Sequence, residues 1–191
     1  IYDQDNNVVT SGSQSNQTVT LSATGATAVA IGGSISMDAF DGVANFTGKG
    51  VKLTGLVGAK SLTATISSPS SIVATETVTI TYGAATKLAI STDAADAANG
   101  SQFGTQPIIL VQDISGNLVT NSTVRVTPSV SNGTLDGNDV AGVNAVGGVA
   151  TFTDLGLTAS AGAKTLTFAS TGLTSATQSI TAITGAPTQL R

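Results

Sequence analysis

Apolar and polar residues alternate along several stretches of the chain, and this alternation predicts β-strands. Every second residue is apolar in "QTVTLSA" (17–23), "SLTATIS" (61–67), "ETVTITY" (76–82), "STVRVTPSV" (122–130) and "KTLTFAS" (164–170). A period of two places alternate side chains on opposite faces of a strand, so one face contacts a core while the other meets water. Clusters of Gly, Asn, Asp and Ser separate these stretches, as turns between short strands require. We predict an all-β chain built as an antiparallel β-sandwich.

Internal repetition divides the chain into domains. The hexapeptide "GAATKL" begins at Gly83 and its relative "GAPTQL" begins at Gly185, which sets a repeat of 102 residues. The pairs "GVANFT" and "GVATFT", and "GAKSLTA" and "GAKTLTF", recur in the same order inside the two copies. Repeats of this length are whole domains in tandem rather than turns of a solenoid. We predict one incomplete domain in 1–82, a complete domain of about seven strands in 83–184, and the start of a third repeat in 185–191.

The repeat also predicts a conserved type of turn. "IYDQDNNVVT" at the start of the chain matches "VQDISGNLVT", and Asp3 aligns with Asp113. An Asp at this position caps a tight turn by accepting hydrogen bonds from backbone amides, and Gly116 supplies the positive φ that such a turn needs. Asn6 replaces that glycine in the first copy, and asparagine is the next-best residue for the left-handed region. We expect strands over 106–114 and 117–130 on either side of the second turn.

The alignment leaves the first domain without a counterpart of residues 83–110. We therefore expect that domain to lack its opening strand and to present an open sheet edge beside 17–23, where a strand from another chain can add. The alternative is that this segment was cut from a longer array whose preceding residues supply the strand. The expected second core comprises Val149, Phe152, Leu157, Leu166 and Phe168, and the expected first core comprises Val43, Phe46, Leu56, Leu62 and Ile66.

Composition narrows the classes of function. Charged residues make up 9 % of the chain, the net charge is −4, and the basic residues are scattered singly, so nucleic acid is not an expected partner. No apolar run reaches the roughly 20 residues that span a bilayer, so we expect no membrane insertion of this segment. The chain has neither cysteine nor histidine, which removes thiolate and imidazole chemistry. With no catalytic constellation in view, we predict that this segment is not an enzyme.

Two pairs of acids are candidate calcium ligands. Asp3 and Asp5 lie beside two asparagines, and Asp93 and Asp96 lie near the junction of the repeats. Oxygen ligands of this type suit Ca²⁺, although the spacing is not that of an EF-hand loop. The alternative is that these acids only cap turns, and the sequence leaves both interpretations open. Apart from this Ca²⁺, no cofactor is expected.

Acceptor sequons for N-glycosylation occur near predicted turns. Each has the pattern Asn-x-Ser/Thr, and the candidate residues are Asn16, Asn99, Asn121 and Asn132. Attachment to any of them would place the chain outside the cell.

The order "QPIILVQDISGNLVT", "GVATFT" and "GAKTLTF" resembles bacterial and archaeal immunoglobulin-like repeats of large cell-surface proteins, in the style of invasin and intimin domains. The resemblance implies tandem immunoglobulin-like sandwiches and an extracellular structural role in a surface layer, sheath, filament or adhesin shaft. Its implied partners are copies of the chain or adjoining repeats of the same protein. Two alternatives stay open: an adhesive module that recognises a receptor or glycan, and a non-catalytic spacer in a larger secreted enzyme. The scarcity of aromatic residues, 4 % of the chain, favours a shaft over a binding tip.

Overall fold

A computed structural model describes residues 1–67 and 71–184 and confirms the all-β prediction. Two compact units divide between Thr81 and Tyr82, and we call them unit 1 and unit 2. Every strand pairing among the described residues lies inside one unit. The junction follows a strand that ends at Ile80, and the repeat in the sequence begins at Gly83.

Unit 1 contains a four-stranded antiparallel sheet in the order β3-β1-β5-β6 and a two-stranded ribbon, β2-β4. Its strands are β1 (Thr18–Thr24), β2 (Val29–Gly32), β3 (Ser36–Asp38), β4 (Lys52–Gly55), β5 (Gly58–Ile66) and β6 (Ile72–Ile80). Because β1 pairs with β3 on one side and with β5 on the other, the expectation of an open edge beside 17–23 is wrong. Within the described residues, the outer strands of this sheet are β3 and β6.

Unit 2 has a complete sandwich of three small sheets in the orders β13-β11-β16-β17-β8, β14-β10-β7 and β12-β15-β9. Its strands are β7 (Lys87–Thr92), β8 (Ala97–Ala98), β9 (Ser101–Gln102), β10 (Ile108–Gln112), β11 (Arg125–Val130), β12 (Thr134–Asp136), β13 (Val143–Asn144), β14 (Val149–Thr151), β15 (Gly156–Thr158), β16 (Gly162–Ala169) and β17 (Ala176–Ile183). A short 3-10 helix, Asn138–Ala141, joins β12 to β13. The expected strand 117–130 is wrong in its first half: only a bridge between Gln112 and Leu118 follows the turn, and β11 begins at Arg125.

The two cores differ in how well they are filled. In unit 2, Phe152, Leu157, Leu166 and Phe168 are buried as predicted, the two phenyl rings lie 5.3 Å apart, and Val149 is half-buried. In unit 1, Ile66 is buried as predicted, but Phe46 and Leu62 are only half-buried. Val43 is 58 % exposed and Leu56 is 38 % exposed, so their placement in the core is wrong. Val43 lies in an isolated bridge with Phe40, and Leu56 lies between β4 and β5, so neither side chain belongs to the inward face of a strand.

Candidate functional site

The turn at Asp113 is the most fully bonded polar feature of unit 2. Its Oδ1 accepts from the amides of Ser115 and Asn117, each at 2.9 Å, and its Oδ2 accepts from Asn117 Nδ2 and from the Gly83 amide, also at 2.9 Å. Burial alone would raise the pKa of this carboxyl, which is 4 % exposed, but the four donors outweigh burial and lower the pKa to about 2. The carboxylate therefore ties the first residues of unit 2 to the turn that begins 30 positions later.

The turn at Asp3 repeats this geometry in an exposed setting. Asp3 Oδ1 accepts from the amides of Asp5 and Asn7, at 3.0 and 2.8 Å, and Oδ2 accepts from Asn7 Nδ2 at 3.2 Å. The backbone and side-chain bonds from Asn7 lower the pKa of Asp3. Asn6 has φ of 65° and Gly116 has φ of 90°, which confirms that asparagine takes the place of glycine in the left-handed position. Asp3 differs from Asp113 in having no bond from a residue equivalent to Gly83.

The second predicted acid pair lies along the opening segment of unit 2, which we define as residues 83–110. Asp96 Oδ1 accepts from the Thr181 amide at 2.8 Å, so this carboxylate joins the opening segment to β17. Asp93 lies three residues earlier and is exposed. Among the described residues, no group of three or more Asp, Glu, His or Cys side chains is placed to hold a metal ion. Calcium at Asp3 and Asp5, or at Asp93 and Asp96, stays a prediction.

Backbone and side-chain hydrogen bonds join the opening segment to residues 174–183, and we call this set the clamp. Backbone bonds link Leu88 and Thr86 to Thr174, at 2.8 and 2.9 Å, and link Asn99 to Ile183 at 3.0 Å. The Gln178 amide group bonds both the N–H and the C=O of Ala94, at 2.9 and 2.6 Å, and the Asp96 bond completes the set. The two segments run parallel, with Lys87 beside Thr174 and β8 paired to the end of β17. The clamp is therefore a parallel pairing of the opening segment with β17.

The opening segment also supplies part of the unit 2 core. Five of its side chains belong to the buried cluster that contains Leu157, Leu166 and Ile180; they are Leu88, Ala94, Ala97, Phe103 and Ile109. Removing the opening segment would therefore uncover β15, β16 and β17 together.

Unit 1 has an open groove where unit 2 has its sealed core. We call it the acceptor groove; it has a volume of about 440 Å³ and its apolar lining is Val51, Leu53, Leu62, Val78 and Ile80. The repeat aligns Leu53 with Leu157 and Leu62 with Leu166, and strand register aligns Val78 with Ile180, because each pairs with the lysine of the "GAK" motif. All three unit 2 residues are buried, whereas the unit 1 residues are half-buried. The acceptor groove therefore lies at positions of the repeat whose counterparts in unit 2 belong to the buried core.

Sequence reasoning missed a second polar cluster in unit 2. Asp139 Oδ2 accepts from the amides of Thr153 and Asp154, at 2.6 and 2.9 Å, and Asp154 accepts from the Asn138 amide, at 2.9 Å, and from Gln102 Nε2. Burial opposes ionisation of Asp139, but the Thr153 and Asp154 amides lower its pKa. The cluster fastens the 3-10 helix to the start of β15. The run "DGND" was the available signal, since Asp, Gly and Asn together mark a turn.

Two lysines, Lys60 and Lys164, are buried at matching positions of the repeat. Each lies on the inward face of its strand, in phase with Leu62 or Leu166, and its stem covers the end of the core. The Lys60 ammonium donates to Thr27 Oγ1, and Lys164 Nζ lies 3.5 Å from Ser160 Oγ. A Cβ on Gly25 would lie 2.7 Å from Lys60 Cδ, so glycine leaves room for the stem. Both lysine side chains are therefore packed and hydrogen-bonded within their own unit.

The four sequon asparagines are exposed, in unit 1 at Asn16 and in unit 2 at Asn99, Asn121 and Asn132. Asn99 is already engaged, because its Oδ1 accepts from the Ala159 amide at 2.8 Å. Glycosylation of these residues stays a prediction. Among the residues that the structure describes, no helix is long and apolar enough to cross a membrane.

Comparisons with known proteins return solved structures alone. No family model matches the chain, and no curated protein matches it. A β-glycosidase from Bacteroides vulgatus matches with a TM-score of 0.45 and 18 % identity, over 87 % of this chain and 21 % of that chain. A β-glucuronidase from Parabacteroides merdae matches with a TM-score of 0.39 and 14 % identity, over 88 % and 21 %.

A glycosyl hydrolase family 2 member from Bacteroides cellulosilyticus matches with a TM-score of 0.44 and 15 % identity, over 88 % of this chain and 22 % of that chain. The chain thus spans about a fifth of the length of these solved structures. TM-scores below 0.5 carry no information about the activity of this chain.

Proposed function

We propose that this chain is a non-catalytic structural module whose tandem β-sandwiches hold distance and carry tension in an extracellular protein. The single observation behind this proposal is the parallel clamp between the opening segment and β17 in unit 2. The surface layer, sheath, filament or adhesin shaft of the sequence analysis is the context in which such tension arises.

The clamp resists extension because of its direction. Force applied to the two ends of unit 2 pulls the opening segment and β17 in opposite directions along their shared axis. In a parallel pair this force loads all of the interstrand hydrogen bonds together, in shear. An antiparallel pair of terminal strands would have its loaded ends side by side, and its bonds would open one after another.

The carboxylates support a structural role over a catalytic one. In Asp3, Asp113 and Asp139, hydrogen-bond donors lower the pKa of the carboxyl. A general acid needs a raised pKa, and a glycosidase pairs one such acid with a second carboxylate. Here the carboxylate oxygens accept bonds mainly from backbone amides, so ionised acids fasten turns and loops.

A spacer in a larger secreted enzyme would use the same clamp, and it remains the second candidate. The two contexts differ in the load that the chain carries rather than in its geometry. An adhesive module would need exposed aromatic or arginine anchors grouped at one end. Exposed aromatic residues of the described chain, Tyr2 and Phe40, both lie in unit 1.

Single-molecule pulling of the chain between terminal handles tests this proposal. We expect unit 2 to unfold in one step that releases about 350 Å of chain, at roughly 3.5 Å per residue for about 100 residues. Gln178→Ala should lower the force of that step, because it removes two clamp bonds. Gln112→Ala is the matched control, since that side chain lies outside the clamp. If unit 2 extends without a distinct force peak, or if both variants behave alike, the chain does not carry tension through the clamp.

A further inference from the structure

Two Asn-Gly pairs of unit 2 have nearly the same local sequence, Ala-Asn-Gly-Ser at 98–101 and Ser-Asn-Gly-Thr at 131–134. They precede β9 and β12, the two strands that flank β15. Both contact Ala159, which follows β15: Asn99 Oδ1 accepts from its amide, and a Cβ built on Gly133 would lie 2.6 Å from its Cβ. Both asparagines are exposed. Sequence and exposure therefore do not distinguish the two pairs, whereas hydrogen bonding does.

An Asn-Gly pair can undergo an intramolecular reaction. The glycine backbone nitrogen, once it loses its proton, can reach the asparagine Cγ, because glycine has no Cβ to hinder the approach. The new bond between this nitrogen and Cγ closes a succinimide ring, and Nδ2 leaves as ammonia. Water then opens the ring at one of its two carbonyls and gives aspartate or isoaspartate. The reaction requires that the glycine nitrogen and the asparagine side chain are both free to move.

The pair at Asn99 is held by three hydrogen bonds. Its Oδ1 accepts from the Ala159 amide at 2.8 Å, and its own amide donates to the Ile183 carbonyl at 3.0 Å. The Gly100 amide donates to the Leu157 carbonyl at 2.8 Å. The nitrogen that would attack is therefore bonded, and the side chain that it would attack is fixed. Ring closure here requires that these bonds break first, which is a local opening of unit 2.

The pair at Asn132 has no such bonds. Among the described residues, neither the Asn132 side chain nor the Gly133 amide takes part in a hydrogen bond. The connection from β11 to β12 is fastened one residue earlier, at Ser131. Its amide donates to the Thr165 carbonyl at 2.9 Å, and its Oγ accepts from the Thr165 amide at 3.0 Å. Attack of the Gly133 nitrogen on the Asn132 side chain therefore needs no prior opening of unit 2.

We propose that Asn132 is a site of spontaneous deamidation, where the Gly133 nitrogen attacks Cγ, ammonia leaves and water opens the succinimide. The fold protects Asn99 from the same reaction. Both products add a negative charge to unit 2, and isoaspartate also adds a methylene to the backbone. The inference does not rest on the proposed function.

The added methylene falls where the backbone has little room. Ser131 is bonded to β16 on one side of it. On the other side, a Cβ on Gly133 would lie 2.6 Å from the Ala159 Cβ and 2.8 Å from the Thr158 carbonyl oxygen, so this glycine is closely packed. Isoaspartate at 132 should therefore weaken the pairing of β12 with β15, which begins at Thr134.

Ageing of the intact chain at mildly alkaline pH, without N-glycans, tests the inference. Digestion after lysine and arginine separates 88–125, which contains Asn99, from 126–164, which contains Asn132, and tandem mass spectrometry assigns the modified residue. In the folded chain we expect conversion at Asn132 to be at least about tenfold faster than at Asn99, because only Asn99 requires a local opening. In chain unfolded by urea, the two should convert at similar rates, because their neighbours in sequence are alike.

Hydrogen exchange tests the effect on β12. Exchange at the Leu135 amide should become faster as the wild-type chain ages. It should stay unchanged in aged Asn132→Gln, because the longer glutamine side chain does not close a succinimide. Asn121→Gln is the matched control, since Asn121 is also exposed in unit 2 but precedes serine. This variant should age like the wild-type chain.

Equal rates at Asn132 and Asn99 in the folded chain would overturn the inference. So would an Asn132 that converts in urea but stays intact in the folded chain. If isoaspartate accumulates at 132 and exchange at Leu135 does not change, the proposed effect on β12 is wrong. None of these results bears on the force peak of unit 2, so the two proposals fail separately.

Discussion

At the scale of single residues, the turn aspartates connect sequence to fold. Asp3 and Asp113 accept the same set of bonds from residues two and four positions later. Because the residue three positions after each Asp has positive φ, only residues tolerant of the left-handed region fit there. The turn is therefore a local unit that both repeats reproduce.

Gly116→Val should destabilise unit 2 by about 1–2 kcal/mol, because a β-branched residue resists positive φ. No heavy atom lies within 4 Å of a Cβ built at Gly116, so the cost is conformational rather than steric. Gly116→Asn is the matched control and should cost less, since Asn6 adopts φ of 65° in unit 1. Urea unfolding of unit 2 measures both variants. Equal free energies of unfolding for Val and Asn would contradict the argument.

Asp113→Asn should destabilise unit 2 by about 2 kcal/mol, the usual cost of losing hydrogen bonds to a buried charged acceptor. An asparagine amide would also set a donor against the Gly83 or Asn117 N–H groups. Asp3→Asn in unit 1 is the comparison variant and should have a smaller effect, since Asp3 is exposed and has no partner like Gly83. Chemical denaturation measures the free energy of unfolding of each variant. A larger loss at Asp3 would be the opposite of this expectation.

The same carboxylate makes unit 2 sensitive to acid. Its pKa is lowered from 3.8 to about 2 in the folded state, so the folded state binds the proton less readily than the unfolded state. The stabilisation is present in full above pH 3.8 and is lost as the pH falls towards 2. Thermal unfolding of the wild-type chain should therefore show a steeper loss of stability between pH 4 and pH 2 than that of Asp113→Asn. Parallel curves would show that another group controls this pH range.

Much of this residue-scale chemistry was predictable from the sequence, and the reason is its short range. Gly116 and Asn6 lie within three positions of the aspartates that they serve, so spacing alone indicates the turn. The bond from Gly83 to Asp113 spans 30 positions, and that from Gln102 to Asp154 spans 52. Contacts of this kind depend on how strands pair, and spacing along the chain does not encode that.

At the scale of elements, β6 and β17 show that two strands with the same apolar pattern can be buried to different extents. Both strands alternate apolar and polar residues in "ETVTI" and "TQSITAI". In β17 the inward residues Ile180 and Ala182 are buried, whereas in β6 the equivalent Val78 and Ile80 are half-buried. Periodicity over 76–82 predicted the second half of β6, whereas no alternating stretch was named over β17. It did not predict that β6 would be an outer strand of the sheet and β1 an inner one, because the order of strands in a sheet is a property of topology.

Phe152→Ala should destabilise unit 2 by about 3–4 kcal/mol, because it leaves a cavity in a filled core. Phe152 is 1 % exposed and packs against Phe168. Phe46→Ala is the matched variant at the same place in the repeat, and it should cost unit 1 roughly half as much, since Phe46 is half-buried. Denaturant titration followed separately in each unit gives both values. Equal losses would mean that the unit 1 core is as complete as that of unit 2.

At the scale of the whole molecule, the chain combines two versions of one sandwich. Unit 2 has its opening segment and a continuous buried cluster, whereas the buried apolar residues of unit 1 are few: Val19, Leu21, Ala39 and Ile66. Burial of apolar surface is the dominant favourable term in folding, so the two units should differ in stability. The central claim is that the opening segment, which supplies five side chains to the buried cluster of unit 2, accounts for this difference.

Hydrogen exchange at equivalent amides, on dilute monomeric chain, tests that claim most directly. The amides of Leu62 and Val78 in unit 1 are compared with those of Leu166 and Ile180 in unit 2, which occupy the same places in the paired strands. We expect exchange in unit 1 to be faster by about 100-fold or more, since opening free energies follow the local core. Equal protection of the two pairs of amides in the monomer would contradict the account.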